Sequence, residues 1–319
     1  MVTYLVRRLP SAVLVLFLAS ILVFAVLRLV PGSPEVTLAG ADATPEQLAA
    51  VRADLGLDRP LAAQYLSWLG DLLTFDLGTS YLVGGSIAEL ISYGAQNTVV
   101  LTLAALLLAV VFALTVSTAS VIFRSRILNA VVTVSNSLAA ALPIFITGTL
   151  LVLLFGILWP ILPSGGTPPD GFFTRPDLAV QYLLLPALTL AVPAGAALTR
   201  FLVEALHTEL RQPYTATAQA LGVSRRRIVL AHALPNALPS VLTVLGLTIG
   251  GLLGGAVLVE SIFVWPGLGL LAEEAINSRD YPLVQVLLIL SVAVFVVLQL
   301  LTDIAHAWLD PRIRLGGAA

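Results

Sequence analysis

Six stretches of this chain are each long and apolar enough to cross a lipid bilayer, and no other feature constrains its fold as strongly. A spanning helix needs about 20 mostly apolar residues. The stretches are Leu9–Val30, Asn97–Phe123, Val131–Trp159, Val180–Arg200, Asn236–Phe263 and Leu283–Trp308. The first follows Arg7 and Arg8 and has the flank of a secretion signal. It is too long for the apolar core of one, and Arg28 and Pro31 stand where a small-residue cleavage site would be, so it reads as a retained span.

Composition agrees with lipid as the solvent. Of the 319 residues 58% are hydrophobic and 11% charged, where an ordinary soluble domain carries about 25% charged residues. Mean hydropathy is +1.00. So much apolar surface excludes a soluble enzyme, a nucleic-acid binder and a disordered chain. With no Cys, disulfides, thiolate nucleophiles and Cys-bound zinc are excluded as well. Three scattered His argue against an intrinsic metal site. All sixteen basic residues are Arg, which reads most simply as codon bias.

The Arg positions set an orientation. With the N-terminus in the cytoplasm, eleven of the sixteen fall in cytoplasmic segments: Arg7, Arg8, Arg124, Arg126, Arg200, Arg211, Arg225, Arg226, Arg227, Arg312 and Arg314. Thirteen of the eighteen acidic residues fall outside. The expectation is an all-α membrane protein of six spans with both ends inside. Residues 1–30 form the N-terminal segment and first span, and 31–96 an outer loop of 66 residues. Residues 97–309 form the core, with a cytoplasmic loop at 201–235, and 310–319 a cytoplasmic tail. The outer loop carries a helix start at Thr44-Pro45-Glu46 and aromatic anchors at Tyr65, Trp68 and Phe75, so a small folded cap is expected there. Pro143, Pro186 and Pro193 are expected to kink the third and fourth spans.

The 201–235 loop reads as two helices. The first, Glu204–Leu221, is interrupted at Pro213 and stopped by Gly222; the second, Arg225–Leu234, is capped by Ser224 and ends before Pro235. Between Pro213 and Gly222 the residues are small on most faces, which suits shallow seating in a groove of another protein. A solvated connector is the alternative. Tyr214, Ala218 and Leu221 share a face by their three-to-four spacing.

Tyr214-Thr215-Ala-Thr-Ala218-Gln219-Ala220-Leu221-Gly222, with Ser224, the Arg225–Arg227 cluster and His232-Ala-Leu-Pro-Asn236, resembles the cytoplasmic EAA loop of ABC importer permeases. More narrowly, it is similar to the B-type permease of the dipeptide/oligopeptide/nickel family. The likeness extends to Tyr4-Leu-Val-Arg-Arg-Leu9, Pro31-Gly-Ser-Pro34, Leu55-Gly-Leu-Asp-Arg-Pro60, Asp76-Leu-Gly-Thr-Ser80, Phe263-Val-Trp-Pro-Gly-Leu-Gly269, Arg279-Asp-Tyr-Pro282 and Leu309-Asp-Pro-Arg312, in order along nearly the whole chain. It departs where the usual Ala-Arg-Ala-Lys-Gly is Ala218-Gln219-Ala220-Leu221-Gly222, where the usual acidic residue before the Tyr is Pro213, and at Ser33. The Arg225–Arg227 cluster stands as a replacement for the missing basic residues.

The resemblance implies the type I ABC importer permease fold with an extracytoplasmic cap. It implies a multi-pass subunit of the bacterial cytoplasmic membrane, paired with a homologous second permease and fed with peptide by an extracytoplasmic substrate-binding protein. Two ATPase subunits, holding ATP and Mg, would each grip a coupling helix. Tyr214, Thr215, Ala218, Gln219, Ala220, Leu221, Gly222, Arg225 and Arg226 are the residues implied to meet the ATPase. This chain has no Lys for a Gly-x-x-x-x-Gly-Lys-Ser/Thr loop, so it holds no ATP by that motif, and no cofactor of its own is implied.

In the fifth span Gly246, Gly250 and Gly254 recur every four residues, and Gly251 and Gly255 repeat the step. Such spacing lets helix backbones approach closely in lipid. Packing or gating against the second permease and close packing within this bundle are both open readings, and Glu260 is grouped with this face. Glu260 reads as a structural hydrogen-bonding or solvated residue, and Asp303 with His306 as a structural pair. The competing functional class is a stand-alone channel or secondary carrier, which needs coupling residues in mid-membrane; only Asp303 lies clearly within a span. An intramembrane hydrolase lacks a motif, since His207-Thr-Glu209 is not a zinc-binding pair.

Overall fold

The structure, a computed structural model, describes residues 2–29, 34–40, 43–54, 56–169 and 174–309. The described residues are helical apart from turns, loops and one isolated bridge, Thr79 to Ser86. In chain order the helices are α1 (Val2–Leu29), α2 (Pro34–Ala39), α3 (Pro45–Asp54), α4 (Leu61–Leu73), α5 (Ile87–Phe123), α6 (Arg126–Ala141) and α7 (Ile144–Leu151). They continue with α8 (Pro176–Leu210), α9 (Pro213–Ala220), α10 (Arg225–Ile228), α11 (Leu234–Ile262), α12 (Leu268–Ser278) and α13 (Tyr281–Leu309). Two π-helical segments, Val152–Leu158 and Val229–Ala233, extend α7 and join α10 to α11.

Five of these helices contain a stretch long and apolar enough to span: Arg8–Leu29, Ile87–Phe123, Pro176–Leu210, Val244–Ile262 and Tyr281–Leu301. The expected third span, Val131–Trp159, is instead two pieces, bent by 105° between α6 and α7. Pro143 caps α7 in an extended conformation, and the residue before a proline is disfavoured in helix, so the break falls there. Counting the bent pair as one gives six. Pro186 and Pro193 lie inside α8, which runs through both without interruption. The second helix of the 201–235 loop does not stop before Pro235 either; α10 passes through its π-turn into α11.

The chain divides into two compact units, one with its described residues in Met1–Ala95 and Leu270–Ile304, the other in Gln96–Gly269 and the end of α13. In the first unit, Thr44 and Gln47 form a reciprocal cap at the start of α3. Gln47 Oε1 accepts from the Thr44 N–H at 2.8 Å, and Thr44 Oγ1 from the Gln47 N–H at 3.3 Å. α1 turns Phe24 toward Tyr65 and Trp68 of α4, at ring separations of 5.4 and 6.0 Å, while the Ser20 and Tyr65 hydroxyls meet at 2.8 Å. Phe75 packs in no such cluster; it is exposed at φ +59°.

Also in this unit, Asp280 is fully buried and latches two distant segments. Its Oδ2 accepts from Ser80 Oγ at 2.6 Å and from the Leu82 N–H at 2.9 Å, and its Oδ1 from the Leu283 N–H at 3.3 Å. It therefore caps α13 and pins the 80–83 turn with one carboxylate.

The second unit is built on small residues. Ala105, Ala109 and Ala113 of α5 and Ala187, Ala191 and Gly195 of α8 are buried at four-residue steps. A Cβ at Gly195 would stand 3.5 Å from the Ala109 Cα, so the α5 and α8 backbones nearly touch. Ser117 Oγ donates to the Thr199 carbonyl at 3.2 Å across the same contact. Leu252, Ala256 and Val259 of α11 complete this core.

Candidate functional site

Four places in the second unit bring functional residue types together. The first is α9, the short helix of small residues. Its end is a Schellman closure: the Val223 N–H donates to the Ala218 carbonyl and the Gly222 N–H to the Gln219 carbonyl, both at 3.0 Å. Gly222 sits at φ +77°, where a side chain would be strained, and a Cβ there would meet nothing within 4 Å. Conformation, not crowding, demands the glycine.

The expected common face of Tyr214, Ala218 and Leu221 is not uniform. Leu221 is 79% exposed, Ala218 half-buried, and Tyr214 only 37% exposed, its hydroxyl donating to Glu209 Oε2 at 2.8 Å. Thr215 is the residue turned fully inward, donating to the Leu210 and Gln212 carbonyls at 2.8 Å. Gln219, Ala220 and Leu221 form the exposed edge.

Arg225 also differs from expectation. Rather than standing on the surface as a substitute cation, it reaches back to the end of α5, where its Nε and Nη2 donate to the Val121 carbonyl at 2.9 and 2.8 Å. Val121 lies in the last turn of α5, whose carbonyls have no helical partner, so the guanidinium closes that helix end. Burial pushes this guanidinium below its usual value, with Arg124 adding to the effect, but an Arg remains charged. Arg226 and Arg227 remain exposed.

At the other end of α11, Glu260 is fully buried rather than solvated. Its Oε1 accepts from Thr98 Oγ1 and its Oε2 from the Gly269 N–H, both at 2.6 Å. Thr98 Oγ1 in turn accepts from the Leu268 N–H at 2.9 Å. Asn97 brackets the same loop, its Nδ2 donating to the Pro266 carbonyl at 2.8 Å and its carbonyl accepting from Trp265 Nε1 at 3.1 Å. A Cβ at Gly267 would collide with the Glu260 carboxylate. The Trp-Pro-Gly-Leu-Gly run is thus a loop folded round a buried carboxylate, its glycines leaving room for the oxygens.

The glycines of α11 divide. A Cβ at Gly250, Gly251 or Gly254 would meet nothing within 4 Å, whereas one at Gly255 would meet Ile144 and Leu190 at 3.1 and 3.2 Å. Gly246 is half-buried. Gly255 serves packing inside this unit, and Gly250, Gly251 and Gly254 present a bare backbone face.

The fourth place is a polar groove of about 340 Å³ between α6 and α8, with the end of α5. Asn129, Thr133, Asn136 and Ser137 of α6 face Arg200, Glu204 and His207 of α8 across it. The opposite side of α6, Ile127, Val131, Val134 and Leu138, is apolar and exposed. Polar inside and apolar outside is the pattern of a lipid-embedded helix beside a protein-walled aqueous space. This groove was missed in the sequence, although Asn129, Thr133, Asn136 and Ser137 stand at helical spacing.

Asp303 and His306 lie in α13, but their side chains, together with Ser33 and the 310–319 tail, fall outside what the structure describes.

Apolar helices long enough to span, with a small-residue core and a polar groove in the second unit, are the features of a multi-pass membrane transport protein. Residues 105–315 match the model of the binding-protein-dependent transport system inner membrane component, and residues 1–119 match that family's N-terminal model. The chain belongs to this family and is an inner-membrane transport subunit. It is 36% identical over 319 residues to a putative peptide permease of Brucella suis, covering 99% of this chain and 100% of the relative. It is 33% identical over 314 residues to a glutathione transport system permease of Salmonella choleraesuis, covering 98% and 99%. A crystal structure of an amino acid ABC transporter with histidines has the same fold at a TM-score of 0.51 and 15% identity, covering 69% of this chain and 94% of that one.

Proposed function

We infer that this chain is the permease subunit of an ATP-driven importer of short peptides. It forms half of the translocation pathway beside a homologous second permease. Two ATPases, which bind ATP and Mg, seat against α9 on the cytoplasmic side, and a binding protein delivers peptide to the outer side. Both termini are cytoplasmic, following the Arg distribution. The relatives named for peptide and glutathione transport support the peptide class.

The observation that carries the coupling assignment is α9 itself. An exposed edge of small and apolar residues, Gln219-Ala220-Leu221, is closed by Gly222 and followed at once by Arg225, anchored on the end of α5. A push on α9 is therefore transmitted to a spanning helix through one guanidinium. The bare face of Gly250, Gly251 and Gly254 suits close packing against the second permease. The polar groove, with charges of both signs, suits passage of a solute carrying both.

The test is Gly222→Val in the assembled importer. Uptake is expected to fall while ATP hydrolysis persists or the ATPases dissociate, with membrane insertion unchanged. Normal uptake with normal ATPase binding would remove α9 from this role. Gradient-driven uptake by the purified chain alone would instead favour a secondary carrier.

A further inference from the structure

α4, in the segment expected to form a cap outside the membrane, is apolar round most of its circumference, yet none of its residues is buried. Its polar side chains, Gln64, Ser67 and Asp71, fall on one narrow edge, and that edge lines a cavity within the first unit. Tyr65 and Trp68 pack on Phe24 of α1. Away from both, Ala62, Leu66, Leu69 and Leu73 share a stripe by their three-to-four spacing, and no charge interrupts it. Leu66 is 65% and Leu73 73% exposed. A continuous apolar stripe of this kind marks a contact surface.

What covers it follows from where α4 is attached. α1 spans the bilayer, and Arg28 in its last turn stays near the headgroups. Ser20, whose hydroxyl meets that of Tyr65, lies eight residues before Arg28, about 12 Å along the helix at 1.5 Å per residue. Tyr65 therefore reaches α1 well inside the hydrocarbon boundary, and α4 lies beside the span rather than above it. At the same depth α1 exposes Leu18, Leu22 and Val26, the surface that meets acyl chains.

Phe75 is an independent sign. The Asp76 N–H donates to the Asp71 carbonyl at 2.9 Å and the Phe75 N–H to the Leu72 carbonyl at 3.2 Å, a Schellman closure with Phe75 in the position usual for glycine. It holds φ +59°, which a side chain disfavours, and it is 84% exposed. Neither local backbone preference nor packing within the chain accounts for an aromatic residue there, whereas aromatic rings favour the bilayer interface.

We propose that α4 is an interfacial helix seated in the outer leaflet. Ala62, Leu66, Leu69 and Leu73 lie among acyl chains, Phe75 anchors its end, and Gln64, Ser67 and Asp71 face away from lipid. The partner of this surface is the phospholipid bilayer itself. The choice of leaflet rests on the cytoplasmic N-terminus of the proposed function; the lipid contact does not.

The chain has no Cys, so single cysteines at chosen positions carry a nitroxide label without background from it. The experiment uses the importer assembled in phosphatidylglycerol nanodiscs, with partner-subunit cysteines replaced by serine. Labels replace Leu66 and Leu73 on the stripe, Leu22 on α1 as the lipid reference and Glu46 on α3 as the water reference. Relaxation by oxygen reports lipid, and relaxation by a nickel chelate reports water. The Leu66 and Leu73 labels are expected to follow Leu22, with strong oxygen access and several-fold less chelate access than Glu46. Chelate access equal to that of Glu46 overturns the proposal by placing the stripe in water. Shielding from both reagents overturns it by placing protein on the stripe, the second permease among the candidates. Phe75→Gly suits φ +59° and is expected to keep or raise the melting temperature in detergent, yet to raise chelate access at Leu73 several-fold in nanodiscs; unchanged access overturns the anchor. ATP-driven uptake is measured in parallel. Lipid-exposed labels without such uptake keep this proposal and overturn the importer reading, and intact uptake with water-exposed labels does the reverse.

Discussion

Gly222, Glu260 and Asp280 each hold a geometry that one substitution undoes. At φ +77° a β-branched residue costs about 2 kcal/mol locally, so Gly222→Val is expected to unwind the end of α9, whereas Gly222→Asn, tolerant of that region, retains most function. Gly267→Ala forces a methyl onto the Glu260 carboxylate and is expected to lower stability by about 2 kcal/mol or more, read as a lower melting temperature in detergent. Asp280→Ala leaves Ser80 and two turn N–H groups without their acceptor and removes the α13 cap. Its cost is expected at about 3 kcal/mol, with Asp280→Asn milder. Gly222 was legible in the sequence, because a glycine after a run of helix formers is a local signal. Asp280 was not, because its partners lie about 200 residues away and backbone N–H groups carry no sequence signature. Arg225 was misread for the same reason, since its acceptor is a carbonyl of Val121.

Among the elements, straight apolar spans were readable from length alone, and the bent pair was not. Pro143 announced a break, but a proline alone does not set 105°, which is decided by what α6 and α7 pack against. α6 turns its polar residues to the groove and its apolar ones outward, the arrangement that the proposed transport path requires. Asn136→Leu is expected to reduce uptake several-fold while leaving the melting temperature unchanged or higher, because it replaces a polar groove residue with one that lipid-embedded protein tolerates well. A fall in stability without a change in uptake would make the groove a structural polar cluster. The proposed coupling role of Arg225 is tested by Arg225→Gln, which keeps one donor to Val121 but loses the paired contact. Hydrolysis is expected to persist with less uptake per ATP, whereas loss of both would mean that Arg225 only holds the fold.

As a whole molecule the chain is an inner-membrane transport subunit. Its sixteen basic residues include no Lys for a phosphate-binding loop, its α9 edge is exposed, and its α11 glycines leave backbone bare. The proposed function gives each surface a partner: ATPases on α9, a second permease on α11, and a delivered peptide along the groove. The most direct measurement is uptake of a radiolabelled dipeptide into proteoliposomes. These contain this chain with its sister permease and two ATPases, with binding protein added outside and ATP supplied on the ATPase face. The account predicts uptake that requires both ATP and binding protein and is abolished when α9 carries Gly222→Val. Uptake by this chain alone, driven by an ion gradient and indifferent to ATP, would contradict it.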